Sequence, residues 1–246
     1  MKKAMIPKLV IANWKMAIDR ASVCHFREEW EASYPPANVK ALIAPPAAFL
    51  SDLDGITGAA LCGQDVSAHG LGAHTGEISA QMLSELKCSH ALVGHSERRI
   101  AWNESNALVA EKACRLEAAG IRPIICVGES QQVRDSGDAE KIVAEQALAS
   151  AEGLASVPVL AYEPIWAIGS GEAATPAIAN AMHAALKAAL KARFDEPVAV
   201  LYGGSVNEAN AGDFTTYESV DGLLVGGASL KALSFLNICR SVGSLR

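Results

Sequence analysis

One carboxylate in this chain stands where an apolar run should simply end. Val157, Val159, Leu160 and Ala161 read as a buried strand, and Glu163 follows at its tip, directly before Pro164. Proline lacks a backbone N–H and disfavours helical geometry in the residue before it, so the strand is predicted to stop with Glu163 at its end. Ile165 to Ile168 are apolar, yet they lie between that proline and Gly169 and Gly171. A greasy segment with a stiff start and a permissive far end suits a lid closing over the carboxylate, the setting of a general acid or base. A core strand that happens to end on a charge is the plainer alternative. Four other places carry residues of a chemical kind: Asn13-Trp14-Lys15, Gly94-His95-Ser96-Glu97, Gly203-Gly204-Ser205 and Gly226-Gly227. Whether they meet Glu163 depends on the elements that carry them.

Short apolar runs recur about every 30 residues, the length of a strand plus a crossover helix. They are Leu9–Ala12, Val39–Ala44, Ala59–Cys62, Ala91–Val93, Ile121–Val127, Val157–Ala161, Val198–Tyr202 and Val220–Val225. Most do not alternate with polar residues, as expected of parallel strands covered on both faces. Helical patterns lie between them. Ile78, Met82 and Leu86 fall four apart; Leu108, Val109, Ala113 and Leu116 share a face, with Gly120 as a stop. Thr175-Pro176 reads as an N-cap with proline at the first helical position, continued by Ile178, Met182, Leu186 and Leu190. Eight such units, with no linker composition and no G-x-G-x-x-G after the first strand, predict a single (β/α)8 barrel domain over residues 1–246 rather than an open doubly wound sheet.

In such a barrel the C-terminal strand ends share one rim, where the chemistry sits. The eight ends then bring Lys15, His95, Glu163 and the two glycine pairs together, with Gln64-Asp65 after the third strand and Cys126 and Gly128-Glu129 after the fifth. Each also has an ordinary reading: a solvated lysine, a capping histidine, turn glycines. The glycine pairs have a specific use as well, since backbone N–H groups approach a phosphate closely only where no side chain intrudes. The chain's formal charge is −6, which offers no overall basic field for nucleic acid or anionic lipid. An anionic substrate would therefore be held locally, by amides and Lys15. Six cysteines without a C-x-x-C pair, no signal-like N-terminus and no run of membrane-spanning length point to a reduced, cytoplasmic setting.

Asn13-Trp14-Lys15, Gly94-His95-Ser96-Glu97-Arg98-Arg99, Ala161 through Gly169, Tyr202-Gly203-Gly204-Ser205-Val206 and Leu224 through Ser229 together closely resemble the triosephosphate isomerase family, in order and over essentially the whole chain. The resemblance implies interconversion of dihydroxyacetone phosphate and glyceraldehyde 3-phosphate through an enediolate, without cofactor or metal, in glycolysis, gluconeogenesis and the pentose shunt. It implies Glu163 as the base that moves a proton between neighbouring carbons, and His95 as a neutral imidazole donating to the substrate oxygens. Lys15 and Asn13 would bind and stabilise the charged intermediate. The amides of Gly169, Ser205, Gly226 and Gly227 would bind phosphate. Glu97 would tune the site, Cys126 would be structural, and Tyr202 and Ser205 would hold the closed lid near Gly171 and Ala174. Deleting the lid tip, Ile168 to Ser170, would release methylglyoxal and inorganic phosphate. The loop Gln64–Gly76 would dock into a second subunit, Thr75 reaching the partner's site, which makes the chain a homodimer.

Two positions depart from the family pattern: Ser170 stands where threonine is common at the lid tip, and His74 where an aromatic residue is frequent. The pairs His69 with His74 and His90 with His95 are five apart, not the four that stacks two rings on a helix face, and are not read as metal ligands. His183, in an alanine-rich helix, is expected at a surface or interface. The competing readings are another phosphate-binding barrel isomerase, as in tryptophan or histidine biosynthesis, and a non-catalytic module that binds a phosphorylated ligand.

Overall fold

All eight apolar runs become strands in the computed structural model, which describes residues 7–167 and 174–244. They are β1 (Lys8–Asn13), β2 (Val39–Ala44), β3 (Ala60–Gly63), β4 (Cys88–Val93), β5 (Arg122–Val127), β6 (Val159–Tyr162), β7 (Ala199–Tyr202) and β8 (Gly222–Val225). Each pairs in parallel with the next, and β1 pairs with β8, so the sheet closes into a barrel. The helices are α1 (Arg20–Glu31), α2 (Ala80–Glu85), α3 (Ser96–Trp102), α4 (Asn106–Ala118), α5 (Gln131–Ser136), α6 (Ala139–Ser150), α7 (Pro176–Lys191), α8 (Ala211–Thr215) and α9 (Ala232–Ser244). The expected (β/α)8 architecture is what the chain forms.

The period of two along each strand creates two apolar compartments. Leu9, Ile11, Leu42, Ala44, Cys62, Leu92, Ile124, Cys126, Val159, Ala161, Leu201 and Leu224 fill the barrel interior. Alternate residues such as Val10, Ala12, Ile43, Val93 and Ile125 pack outward against the helices. Both faces of every strand are thus covered, which is why the runs do not alternate with polar residues.

Local signals act where the sequence places them. Thr175 caps α7 by accepting the Ile178 N–H, and Pro176 opens the helix. Gly120 adopts φ +74° just after α4, the left-handed turn that glycine takes without strain. Two expectations need correction. Met82 is 42% exposed, and α2 buries Ala80 and Leu83 instead. Ile78 and Leu86 lie outside this six-residue helix, so their fourfold spacing does not describe one helical face. His183 is fully buried rather than at a surface. It continues the stripe Ala179, Leu186 and Leu190, packs edge-on to Tyr162 at 5.8 Å and places Nδ1 3.3 Å from the Ser219 carbonyl. All six cysteines are free. Among the described residues no helix is long and apolar enough to cross a membrane.

Candidate active site

The C-terminal strand ends gather Asn13, Lys15, His95, Glu163, Gly203, Gly204, Ser205, Gly226 and Gly227 around one cavity of about 310 Å³. Leu224, Val206 and Asn207 complete its wall.

Asn13 ends β1, and its Oδ1 accepts the Lys15 N–H at 3.1 Å. Lys15 has φ +51°, a left-handed backbone uncommon outside glycine, at the point where its side chain turns toward the cavity. Gln64, at the end of β3, fixes this turn by donating Nε2 to the Lys15 carbonyl at 2.9 Å and to the Ala44 carbonyl at 2.8 Å. Its position after the third strand was visible in the sequence; nothing there revealed the two carbonyls it would bridge.

His95 follows Gly94, whose φ is +67° and whose added Cβ would press on Arg99 and Val109 at 2.8 Å. The ring makes two contacts at once. It caps α3, Nδ1 accepting the Glu97 N–H at 3.2 Å, and it places Nε2 2.9 Å from Glu163 Oε1. A nitrogen that accepts a hydrogen bond carries no proton, so the proton of this imidazole sits on Nε2. Burial pushes the His95 pKa down, while Glu163 above all, and Glu97 behind it, push it up and prevail.

Glu163 is 2% exposed. Its N–H donates to the Val127 carbonyl at 2.7 Å, and Oε2 accepts the Ser96 N–H at the start of α3 at 2.8 Å. Neighbouring glycines make room for it. A Cβ on Gly128 would run into the Glu163 carbonyl, and one on Gly203 would lie 3.1 Å from its Cγ. A Cβ on Gly204 would meet the Tyr202 hydroxyl. The first glycine pair therefore clears space for protein groups as well as for a ligand. The second faces the cavity: a Cβ on Gly226 would lie 3.8 Å from Lys15 Cε, and one on Gly227 meets nothing. Lys15 Nζ pairs with Glu97 Oε1 at 2.5 Å. Cys126 lies fully buried in the barrel interior; burial, then Glu163, hold its thiol well above the usual range, which suits packing rather than nucleophilic attack.

The described flanks of the expected lid are both anchored. Ser205 donates its hydroxyl to the Ala167 carbonyl at 2.8 Å, and the Tyr202 hydroxyl accepts the Ala174 N–H at 3.1 Å. Gly169, Ser170, Gly171 and the deletion site Ile168–Ser170 lie outside the described residues. Glu129, noted in the sequence without a role, accepts from both the Tyr162 hydroxyl at 2.9 Å and Trp166 Nε1 at 3.0 Å. It thereby ties Trp166, at the start of the expected lid, to Tyr162 on the strand beneath. Thr75 sits in the exposed loop after β3 and does not line this chain's cavity. In the same loop His69 and His74 stack ring on ring at 4.2 Å, 8° from parallel, so they do not converge on a metal.

A model of the triosephosphate isomerase family matches residues 8–242. The chain is 46% identical to the triosephosphate isomerase of Thermus thermophilus over 246 residues, covering 96% of this chain and 98% of that protein. It is 44% identical to that of Thiobacillus denitrificans over 250 residues, covering 96% and 99%. With that of Paracidovorax citrulli the identity is 46% over 244 residues, covering 94% and 96%.

Proposed function

The chain belongs to the triosephosphate isomerase family, and from that premise we propose how the residues at its rim divide the work. It is an isomerase that interconverts dihydroxyacetone phosphate and D-glyceraldehyde 3-phosphate, a step of glycolysis. The substrate's phosphate rests on the backbone N–H groups of Ser205, Gly226 and Gly227, with Gly169 joining from the lid, and its carbon end enters between His95 and Glu163. Glu163 is the base. To reach carbon its carboxylate leaves the Ser96 N–H and the imidazole, and that departure frees the Nε2 proton of His95 for the substrate oxygens. Each proton taken from one carbon returns to its neighbour, so the carboxylate is regenerated within a turnover. Lys15, beside Gly226, stabilises the negative charge of the enediolate and phosphate, and Asn13 orients the oxygens. Glu97 holds Lys15 in reach, Cys126 packs beneath the site, and Tyr202 and Ser205 anchor the lid that keeps water from a phosphate-expelling intermediate. No metal or other cofactor has a part in this scheme.

We further propose that residues 1–246 form one domain, that the chain works in the cytoplasm, and that it is a homodimer in which Thr75 of each subunit reaches the Asn13 and His95 region of the other. The observation that carries the catalytic reading is the 2.9 Å contact between a buried carboxylate and an imidazole in a cavity that Lys15 and four glycines also line. The test is a coupled assay with glyceraldehyde 3-phosphate in the presence of a metal chelator. Turnover is expected, and Glu163→Gln is expected to lower it by several orders of magnitude while keeping affinity for a phosphate-bearing analogue. Binding without isomerisation by the wild-type chain would favour a non-catalytic module.

A further inference from the structure

The opposite mouth of the barrel carries a second cluster of charge that the isomerisation does not use. On β2 the side chains of Leu42 and Ala44 face the interior, on β4 that of Leu92, and on β5 those of Ile124 and Cys126. Two residues earlier on each strand stand Lys40, His90 and Arg122, which the period of two turns inward into the lowest layer. His90 and Arg122 are direct partners in the register between β4 and β5.

Among the described residues these three have almost no partners. His90 is 5% exposed; its Nδ1 lies 2.8 Å from the Ser89 hydroxyl, and among the described residues no protein group pairs with Nε2. Arg122 gives Nε and Nη2 to the Val157 carbonyl at 3.4 and 3.3 Å, and among the described residues no group pairs with Nη1. Lys40 forms no ion pair among the described residues, and neither does Arg122. The charges that act within the layer are its own. Burial first, then Lys40 and Arg122, press His90 down to about 4, and burial followed by Arg122 presses Lys40 down. Among the described residues no carboxylate offsets them, in a chain whose formal charge is −6. Like charges gathered at a half-buried mouth repel, and an anion placed among them relieves the repulsion and gains charge-assisted hydrogen bonds.

We propose that Lys40, His90 and Arg122 form a binding site for a small oxyanion of sulfate or phosphate size at the N-terminal mouth of the barrel. The guanidinium fork of Arg122 and the ammonium of Lys40 hold it, and the His90 ring forms the inner wall.

The test follows the His90 ring by nitrogen-edited NMR while sulfate is added at constant ionic strength, chloride being the balancing salt. A saturable shift of the His90 signal is expected with sulfate and none with chloride. Lys40→Met and Arg122→Met are each expected to weaken the dissociation constant about tenfold, and the double variant to lose the response. Both residues are exposed, so the core is undisturbed, and kcat/KM is expected to stay unchanged because they open strands whose far ends reach the rim. Sulfate at the catalytic glycines would act equally on wild type and double variant, so it does not imitate this result. Equal shifts with sulfate and chloride in the wild type, or a saturable response that persists in the double variant, would overturn the proposal.

Discussion

His95 is held between two demands on its charge. As cap of α3 it needs an unprotonated Nδ1, while the carboxylate of Glu163 against Nε2 favours the imidazolium. In the free protein Glu163 and Glu97 win over burial, and the histidine pKa stands above its ordinary value. In the proposed reaction Glu163 moves to substrate carbon; burial and nearby Lys15, which favour the neutral ring, are then opposed by Glu97 alone. This makes a signed expectation. In Glu163→Gln the carboxylate charge is gone and the geometry is nearly kept, so His95 should titrate at lower pH than in the wild type. NMR titration of the imidazole nitrogens measures this directly. An unchanged or raised value in the variant would show that Glu163 does not control the ring.

At the scale of elements, the end of β6 is positioned by what its neighbours lack. The Gly128 backbone passes so close to the Glu163 carbonyl that no side chain fits between β5 and β6 there. Gly128→Ala is expected to push the β6 tip away, costing roughly 1–3 kcal/mol of stability by overpacking and lowering kcat far more than affinity for the phosphate end. Urea unfolding and steady-state kinetics on one preparation separate the two effects, and a near-normal kcat would refute the positional claim. Helix α7 supplies a second expectation through His183, which burial holds down to about 3. The unfolded chain protonates this histidine near its ordinary pKa of about 6.5. Between those values the unfolded state therefore binds more protons, and stability falls as pH drops, by up to about 1.4 kcal/mol per unit for each such group. His90, held down to about 4, acts in the same direction. His183→Gln should flatten the dependence of the urea midpoint on pH between about 6.5 and 4.5; an equally steep dependence would mean that other groups carry it. These elements also mark how far the sequence could be read. Strand number, order and the residues lining the rim cavity were legible because buried parallel strands write apolar runs and each of the cavity's polar side chains and glycine pairs follows one of them. His183 was misread because alanine neighbours hid the core stripe, and Met82 because fourfold spacing was counted beyond a six-residue helix. Gln64 and Glu129 were seen without roles, since their partners are backbone carbonyls and aromatic tips brought close only when the barrel closes.

The whole molecule leaves one sector of its rim unfinished. Met16 is 94% exposed, Leu71 63%, and Ile100 and Trp102 70% each. All four lie on segments that follow β1, β3 and β4, alongside the loop that carries Thr75. Exposed apolar side chains concentrated in this way suit a protein interface better than water. The sector also includes the neighbours of Lys15, whose left-handed backbone rests on Asn13 and Gln64 within this chain. In the proposed homodimer a partner's Thr75 loop would cover these residues and brace the Lys15 turn from outside. Trp102→Asp places a charge on that surface and should weaken association by at least 2 kcal/mol, about thirtyfold in dissociation constant. Light scattering over a dilution series is expected to find the wild type dimeric and the variant dissociating at higher concentration, with activity lost at the same concentration as the dimer. A monomeric wild type would remove the dimer from this picture. A variant that dissociates yet keeps full activity would instead leave each barrel catalytically complete on its own, and would confine the Thr75 loop to holding two such barrels together.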